Sequence, residues 1–106
     1  MDRSAKGAHN QALMREVNER IEQIAEDAAH PEFLCECADA DCVETIPLSI
    51  AEYEVARSSP LHFPIKPGHD YTEFERVIEE NETYVVVEKF GKAGEVAQRL
   101  DPRSSA

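Results

Sequence analysis

The chain has 106 residues, of which 42% are hydrophobic and 31% charged, as expected for one folded domain with a modest core. Its net charge of −11 disfavours direct contact with nucleic acid, because binding to phosphates requires clustered Lys and Arg. No apolar stretch approaches the roughly 20 residues of a membrane-spanning helix. An acidic surface of this kind suits solubility first and a basic protein partner second.

The beginning of the chain, from Met1 to Asn10, lacks the apolar segment of a signal peptide, so we expect a cytoplasmic protein. Residues 1–9 are predicted to be a flexible tail. Residues 10–103 are predicted to form a single zinc-binding α+β domain, since no linker, repeat or low-complexity block interrupts them.

A long helix is predicted from Asn10 to Ala29, because apolar residues recur there at helical spacing. These residues are Leu13, Val17, Ile21, Ile24, Ala25 and Ala28. We expect this apolar side to pack on the protein's own sheet and Pro31 to end the helix. Apolar residues also recur at alternating spacings of three and four residues, which permits a homodimer through this helix. The pattern covers only two heptads, fewer than a coiled coil needs. The residues at those spacings are Met14, Val17, Ile21, Ile24 and Ala28.

Two short strands are predicted around a cysteine-containing loop, at residues 33–35 and 43–48. A β-hairpin of this kind brings side chains together without a large core. Ser49 and Glu52 have the spacing of a capping box, which predicts a second helix that runs to about Arg57.

The second half of the chain is predicted to be mainly β-structure. Residues 61–65 fit an edge strand, because Pro64 cannot donate a ladder hydrogen bond. Residues 74–80 fit a helix or a strand, and the Val- and Tyr-rich residues 83–90 predict a strand. Asn81-Glu82 between the two segments favours a hairpin. Residues 91–100 contain two glycines and are predicted to form a short helical turn. The predicted fold class is therefore α+β, with a small antiparallel sheet, a long N-terminal helix and a metal-stapled β-hairpin.

All three cysteines lie within eight positions, as Cys35, Cys37 and Cys42. An odd number of cysteines fits a reduced compartment and a metal better than a disulfide framework. In an extended strand Cys35 and Cys37 project to the same side, and the short loop after them lets Cys42 return. Structural zinc sites use four Cys or His ligands. The spacing therefore predicts a zinc site with three sulfur ligands and a fourth ligand from elsewhere.

Four histidines can supply the fourth ligand. His9 lies in the predicted tail, and His30 lies at a helix end where it can cap carbonyls. His69 is the favoured candidate because the Pro67-Gly68 turn presents it at a loop tip. His62, in a predicted strand, is its competitor. A water in the fourth position would leave an open site with catalytic potential.

The cysteines also have other interpretations. They can be small core residues without a ligand, although the acidic loop around them is polar and makes burial in a hydrophobic core harder to explain. They can form a regulatory dithiol that oxidises under stress. A Cys3His set can hold a [2Fe–2S] cluster, but the tight Cys-Asp-Gly-Ser/Ala-His run of the small proteins that use this set is missing here.

The sequence contains no P-loop, dinucleotide fingerprint or nucleophile elbow. The favoured function is therefore that of a small intracellular zinc-binding protein, non-enzymatic, which acts as a regulatory or adaptor module through protein contacts. One alternative is a thiol or metal redox sensor that releases the ion on oxidation. A small zinc hydrolase is a second alternative. The acidic run of residues 70–82 is first a solvated face and second a docking surface for a basic partner.

Five stretches carry a family resemblance: Asn18-Glu-Arg-Ile21, Phe33-Leu-Cys-Glu-Cys37, Glu52-Tyr-Glu-Val-Ala-Arg57, Pro67-Gly-His69 and Val86-Val-Glu-Lys-Phe-Gly-Lys-Ala-Gly94. Together they cover most of residues 18–103, and they resemble a family of short, uncharacterised bacterial proteins of actinobacterial type. The resemblance implies a free-standing intracellular protein. It also supports pairing of the Cys-Glu-Cys motif with the Pro-Gly-His motif, and it implies no particular activity.

Overall fold

A computed structural model describes residues 3–25, 29–39 and 41–103. The elements are α1 (Arg3–Ile24), β1 (Glu32–Leu34), β2 (Thr45–Pro47), α2 (Ile50–Ala56), β3 (His62–Ile65), β4 (Glu75–Glu80), β5 (Val85–Lys89) and α3 (Gly91–Leu100). Strands β1 and β2 form an antiparallel ribbon, and the other three form an antiparallel sheet in the order β3-β5-β4. The predicted α+β class is confirmed, with two small sheets in place of one.

Strand β5 lies at the centre of the three-stranded sheet and is buried on both faces, which explains its run of three valines. Val86 joins one core cluster with Phe33, Tyr53 and residues around them. Val85 and Val87, on the other face, pack in a second cluster with Phe63, Ile65, Cys35, Cys37 and Ala97. The cysteine segment therefore packs directly against the sheet.

The local signals in the middle of the chain are confirmed. Glu52 N donates to Ser49 Oγ at 3.0 Å and Ser49 N donates to Glu52 Oε1 at 2.9 Å, so the capping box opens α2. Strand β3, which contains Pro64, is an edge strand, and β4 and β5 form the preferred hairpin.

The last helix is longer than predicted. A full helix, α3, replaces the short helical turn expected over residues 91–100. A Cβ atom at Gly94 would lie 3.0 Å from the Lys89 carbonyl oxygen, so glycine permits a close approach between α3 and the end of β5. None of the helices in the described ranges has the length and apolar character needed to cross a membrane.

Helix α1 differs from its prediction at both ends. It begins at Arg3, seven residues before the predicted start at Asn10, and residues 1 and 2 lie outside the described residues. The flexible tail over residues 1–9 stays a prediction. Gly7, in its second turn, is buried against Ala38. The helix ends at Ile24, and Ala28, which was expected on its packed side, lies outside the described residues.

The buried side of α1 is polar, which corrects the expectation that its apolar side packs on the sheet. Three polar residues are at most 1% exposed: Gln11, Arg15 and Asn18. Three apolar residues are exposed by 48% to 77%: Leu13, Val17 and Ile24. Among the described residues of the predicted apolar side, only Ile21 packs against a core cluster. Burial of polar side chains costs free energy unless hydrogen bonds replace water, and the segment beneath α1 supplies those partners.

Candidate metal centre

Cys35 and Cys37 follow directly after β1, in an extended segment that runs between two other parts of the chain. Cys35 N donates to Glu44 O at 2.9 Å, on the side of β2. Glu36 N donates to Pro64 O at 3.0 Å, on the side of β3. These hydrogen bonds hold the segment in place between the ribbon and the three-stranded sheet, with both cysteines buried.

A tight turn returns Cys42 to the same place. Cys42 N donates to Asp39 O at 3.1 Å, and Asp41 N donates to Asp39 Oδ1 at 2.9 Å. An aspartate side chain that accepts from the backbone two residues later is typical of such turns. Cys42 is half-buried, so it lies at the outer side of the cluster.

His69 reaches the cysteines from the loop between β3 and β4. His69 N donates to Lys66 O at 3.1 Å, and Gly68 has φ of 87°, as expected for a type II turn with Pro67 and Gly68 at its centre. Lys66 N donates to Cys35 Sγ at 3.2 Å, which joins the start of this turn to the first cysteine. The Lys66 ammonium also pairs with the Glu44 carboxylate at 2.8 Å on the surface.

The potential ligand atoms of Cys35, Cys37, Cys42 and His69 all lie within 4.8 Å of one another. His69 Nδ1 lies 3.5 Å from Cys35 Sγ and 3.7 Å from Cys42 Sγ. Around a tetrahedral zinc ion, with bonds of about 2.3 Å to sulfur and 2.0–2.1 Å to nitrogen, neighbouring ligand atoms are about 3.5–3.8 Å apart. The four side chains therefore lie close enough to bind a metal ion.

The three thiols hold their protons unequally. The pKa of Cys35 is lowered, because the Cys37 thiol donates a hydrogen bond to it and the Lys66 amide donates another, against the opposing effect of burial. The hydrogen bond that the Cys37 thiol donates to Cys35 raises the pKa of Cys37, and burial raises it further. Burial also raises the pKa of Cys42. Cys35 is thus the preferred thiolate, and a metal ion that binds all three sulfurs displaces the remaining protons.

The other histidines in the described ranges are placed elsewhere. His62 Nε2 lies 3.2 Å from Glu88 Oε2 of the neighbouring strand β5, so the competitor for the fourth position has a different partner. His30 is exposed after α1. His9 lines a cavity of about 200 Å³ with Leu13 and Leu100, away from the cysteines.

A cleft of about 300 Å³ opens beside the cluster. Its lining consists of Cys37, Asp39, Gly68, His69, Asp70 and Tyr71. Two of the four potential ligands, Cys37 and His69, border this space, and two carboxylates stand at its wall. Cys37 is only 1% exposed, so solvent reaches the cluster from this side mainly at the half-buried His69. The cluster is a shallow site, accessible from this side, even though Cys35 and Cys37 are buried.

Three polar residues of α1 that were not predicted from the sequence support this segment from behind. Gln11 Nε2 donates to Glu36 O at 2.8 Å, Arg15 Nε donates to Glu36 Oε1 at 2.9 Å, and Asn18 Nδ2 donates to Glu36 Oε2 at 2.8 Å. A signal for them was present. Residues 11, 15 and 18 follow helical spacing, and a glutamate between two same-side cysteines must point the other way.

No protein-family model matches the chain, and comparisons with curated proteins and with solved structures also find no match. The resemblance to short bacterial proteins with Cys-Glu-Cys and Pro-Gly-His motifs therefore stays a prediction.

Proposed function

We propose that this chain is a small intracellular zinc-binding protein in which Cys35, Cys37, Cys42 and His69 hold one ion. The observation that carries the proposal is the convergence of three sulfurs and one imidazole nitrogen within 4.8 Å. Thiolate and imidazole are the donors that zinc prefers, and no redox metal is required by this set. A [2Fe–2S] cluster spreads its ligands over two irons, whereas four atoms this close suit a single ion.

The ion would have a structural role. Four protein ligands leave no position for an activated water, so a zinc hydrolase is disfavoured. The ligands come from the loop between β1 and β2 and from the loop between β3 and β4. A bound ion would thus join the two sheets, which matters in a domain whose hydrophobic core is small.

We further propose that the protein works as a regulatory or adaptor module with a basic protein partner. The support is the net charge of −11 together with exposed carboxylates at the end of β4 and in the turn after it. Those residues are Glu79, Glu80 and Glu82. A partner held by such charges would dissociate as salt rises, since screening weakens attraction between exposed charges.

A thiol or metal redox sensor is the second candidate, and the cleft beside Cys37 and His69 favours it. Oxidation of two thiols by peroxide forms one disulfide and two waters, and it removes two ligands from the ion. Zinc release on treatment with peroxide, followed with a chromophoric chelator, tests this candidate. Retention of zinc and slow alkylation of the cysteines would exclude it.

The metal content of the full chain, purified without chelator, tests the proposed zinc site. Native mass spectrometry should give one zinc per chain, and Cys37→Ala and His69→Ala should lose it. His62→Ala is the matched control and should keep the metal, because His62 pairs with Glu88 and not with the cysteines. Protein purified without stoichiometric metal would refute the proposal. Visible absorption bands would show that the site holds an iron–sulfur cluster and not zinc.

A further inference from the structure

The cysteine segment has two chemically different sides. Cys35 and Cys37 contribute to the ligand cluster, while Leu34, Glu36 and Ala38 receive hydrogen bonds from α1. Asn18 contacts both backbone groups of Leu34: its Oδ1 accepts from Leu34 N at 2.8 Å and its Nδ2 donates to Leu34 O at 3.0 Å. Side chains of the helix thus take the place that a neighbouring strand would have in a sheet.

Two more α1 residues continue this pattern along the segment. Gln11 Nε2 donates to Glu36 O at 2.8 Å, and Asn10 Nδ2 donates to Ala38 O at 3.3 Å. The contacts reach every second residue of the segment, and the residues between them are the two cysteines. Helix α1 therefore holds the extended backbone that sets the separation and direction of Cys35 and Cys37.

Glu36 is the centre of these contacts. Its side chain is fully buried, and its carboxylate accepts from Arg15, from Asn18 and from the Tyr53 hydroxyl at 3.3 Å. Arg15 also donates to the carbonyls of Pro60 and His62, so the same guanidinium reaches the entry of β3. A buried carboxylate with this many donors has one favourable position, because displacement would leave charges without partners.

We propose that metal binding and the docking of α1 stabilise each other, with Glu36 as the positioning residue between them. The inference rests on the proposed zinc site. Cys35 and Cys37 are bonded to Glu36 on either side, so an ion that fixes both sulfurs also fixes the backbone and carboxylate that α1 binds. Such coupling is reciprocal: if the ion strengthens the docking of α1, α1 raises the affinity for the ion by the same factor.

Hydrogen exchange with mass spectrometry on the full chain tests the first direction. Zinc added to chelator-treated protein should slow amide exchange in peptides from residues 10–24 as well as in residues 33–42 and 66–69. Zinc-dependent protection confined to 33–42 and 66–69 would overturn the coupling and leave the zinc site intact. No zinc-dependent protection anywhere would overturn both, so the two failures are distinguishable.

Zinc affinity tests the reverse direction, through residues that do not touch the ion. Gln11→Ala and Asn18→Ala should each raise the dissociation constant for zinc about tenfold or more, as removal of outer hydrogen-bond partners commonly does. Competition with a chromophoric chelator measures this. Gln23→Ala and Asn81→Ala are the matched controls, since both side chains are exposed, and they should bind zinc as the natural chain does. Equal affinity in all four variants would overturn the proposal.

The role of Glu36 has a separate readout. Glu36→Gln keeps the shape and part of the hydrogen bonding, and it should weaken zinc binding less than Glu36→Ala. In both variants cobalt(II), used as a probe, should keep the absorption of a site with three sulfurs and one nitrogen, because Glu36 positions the ligands and is not one of them. A changed cobalt spectrum in Glu36→Gln would overturn the assignment. If Glu36→Ala does not fold, Gln11→Ala and Glu36→Gln still decide the question.

Discussion

Glu75 and Lys89 face each other across the β4–β5 hairpin, with Lys89 Nζ 2.9 Å from Glu75 Oε2 and both side chains completely buried. The Glu75 carboxylate also accepts from Gln11 Nε2 at 2.8 Å and from Tyr71 N at 2.9 Å. Lys89 Nζ lies 4.3 Å from the centre of the Phe74 ring. Burial lowers the pKa of Lys89, while Glu75 opposes that effect. The pair anchors the middle of α1 to the sheet through Gln11.

Lys89→Met is therefore expected to lower the free energy of unfolding strongly, by about 3–5 kcal/mol, because it leaves the Glu75 carboxylate buried without its cation. The double variant Glu75→Gln/Lys89→Met should be considerably more stable than Lys89→Met alone, since the unpaired charge is gone. Urea denaturation of the two variants and the natural chain measures both effects. Equal stability of the single and double variants would contradict the ion-pair explanation.

Much of the fold was predictable because its signals are local. Ser49 and Glu52 satisfy one another's backbone groups within three residues, and Pro64 restricts its strand to an edge wherever the strand lies. The cysteine loop between β1 and β2 followed from spacing alone. The Pro67-Gly68 turn favoured His69 over His62 from the sequence, and the structure brings His69 to the thiols and pairs His62 with Glu88.

The packed side of α1 could not be read from apolar periodicity, because the acceptors that it buries against are distant in sequence. Glu36 and Glu75 supply those acceptors, and they lie 25 and 64 residues from Gln11. Hydrophobic patterns assign the side with Leu13 and Val17 to the core, but the hydrogen bonds of Gln11, Arg15 and Asn18 outweigh them. Local rules tend to fail where a protein builds a site, and this helix lies directly behind the cysteines.

Gly7 tests whether the first turns of α1 are docked. Alanine normally stabilises a helix interior by about 1 kcal/mol relative to glycine. Here a new Cβ atom would lie 2.8 Å from Ala38 Cβ, so Gly7→Ala should instead lower the free energy of unfolding, by roughly 1–3 kcal/mol. The double variant Gly7→Ala/Ala38→Gly should recover part of the loss. Thermal unfolding of both variants checks this, and a more stable Gly7→Ala would show that the turn is not docked.

Glu22 gives a pH dependence with a definite sign. Burial and the neighbouring Glu54 carboxylate raise its pKa from 4.5 to about 7 in the folded protein. Between those values the folded state binds more protons than the unfolded state, so the free energy of unfolding falls as pH rises. Above about pH 7 the loss of stability that Glu22 causes is constant.

Glu22→Gln should thus be more stable than the natural chain at pH 8. One pKa unit corresponds to about 1.4 kcal/mol, and screening by solvent around this partly exposed side chain reduces the gain to roughly 1–2 kcal/mol. The two proteins should be nearly equal near pH 4. Urea titrations at both pH values measure the difference. Glu16→Gln, at an exposed position of the same helix, is the matched control for the loss of one carboxylate. A gain at pH 4 that equals the gain at pH 8 would contradict the explanation.

Removal of zinc should destabilise the whole domain, because the ion would join the two sheets. At free zinc about 100 times its dissociation constant, binding to the folded state alone adds about 2.7 kcal/mol to the free energy of unfolding. Excess chelator should therefore lower the melting temperature of the natural chain and of His62→Ala by similar amounts. His69→Ala, which keeps the three thiols but lacks the imidazole, should respond much less to either zinc or chelator. A full zinc response in His69→Ala would show that His69 is not the fourth ligand. Loss of the zinc response in His62→Ala would show that His62 is needed for zinc binding, which the proposed site does not predict.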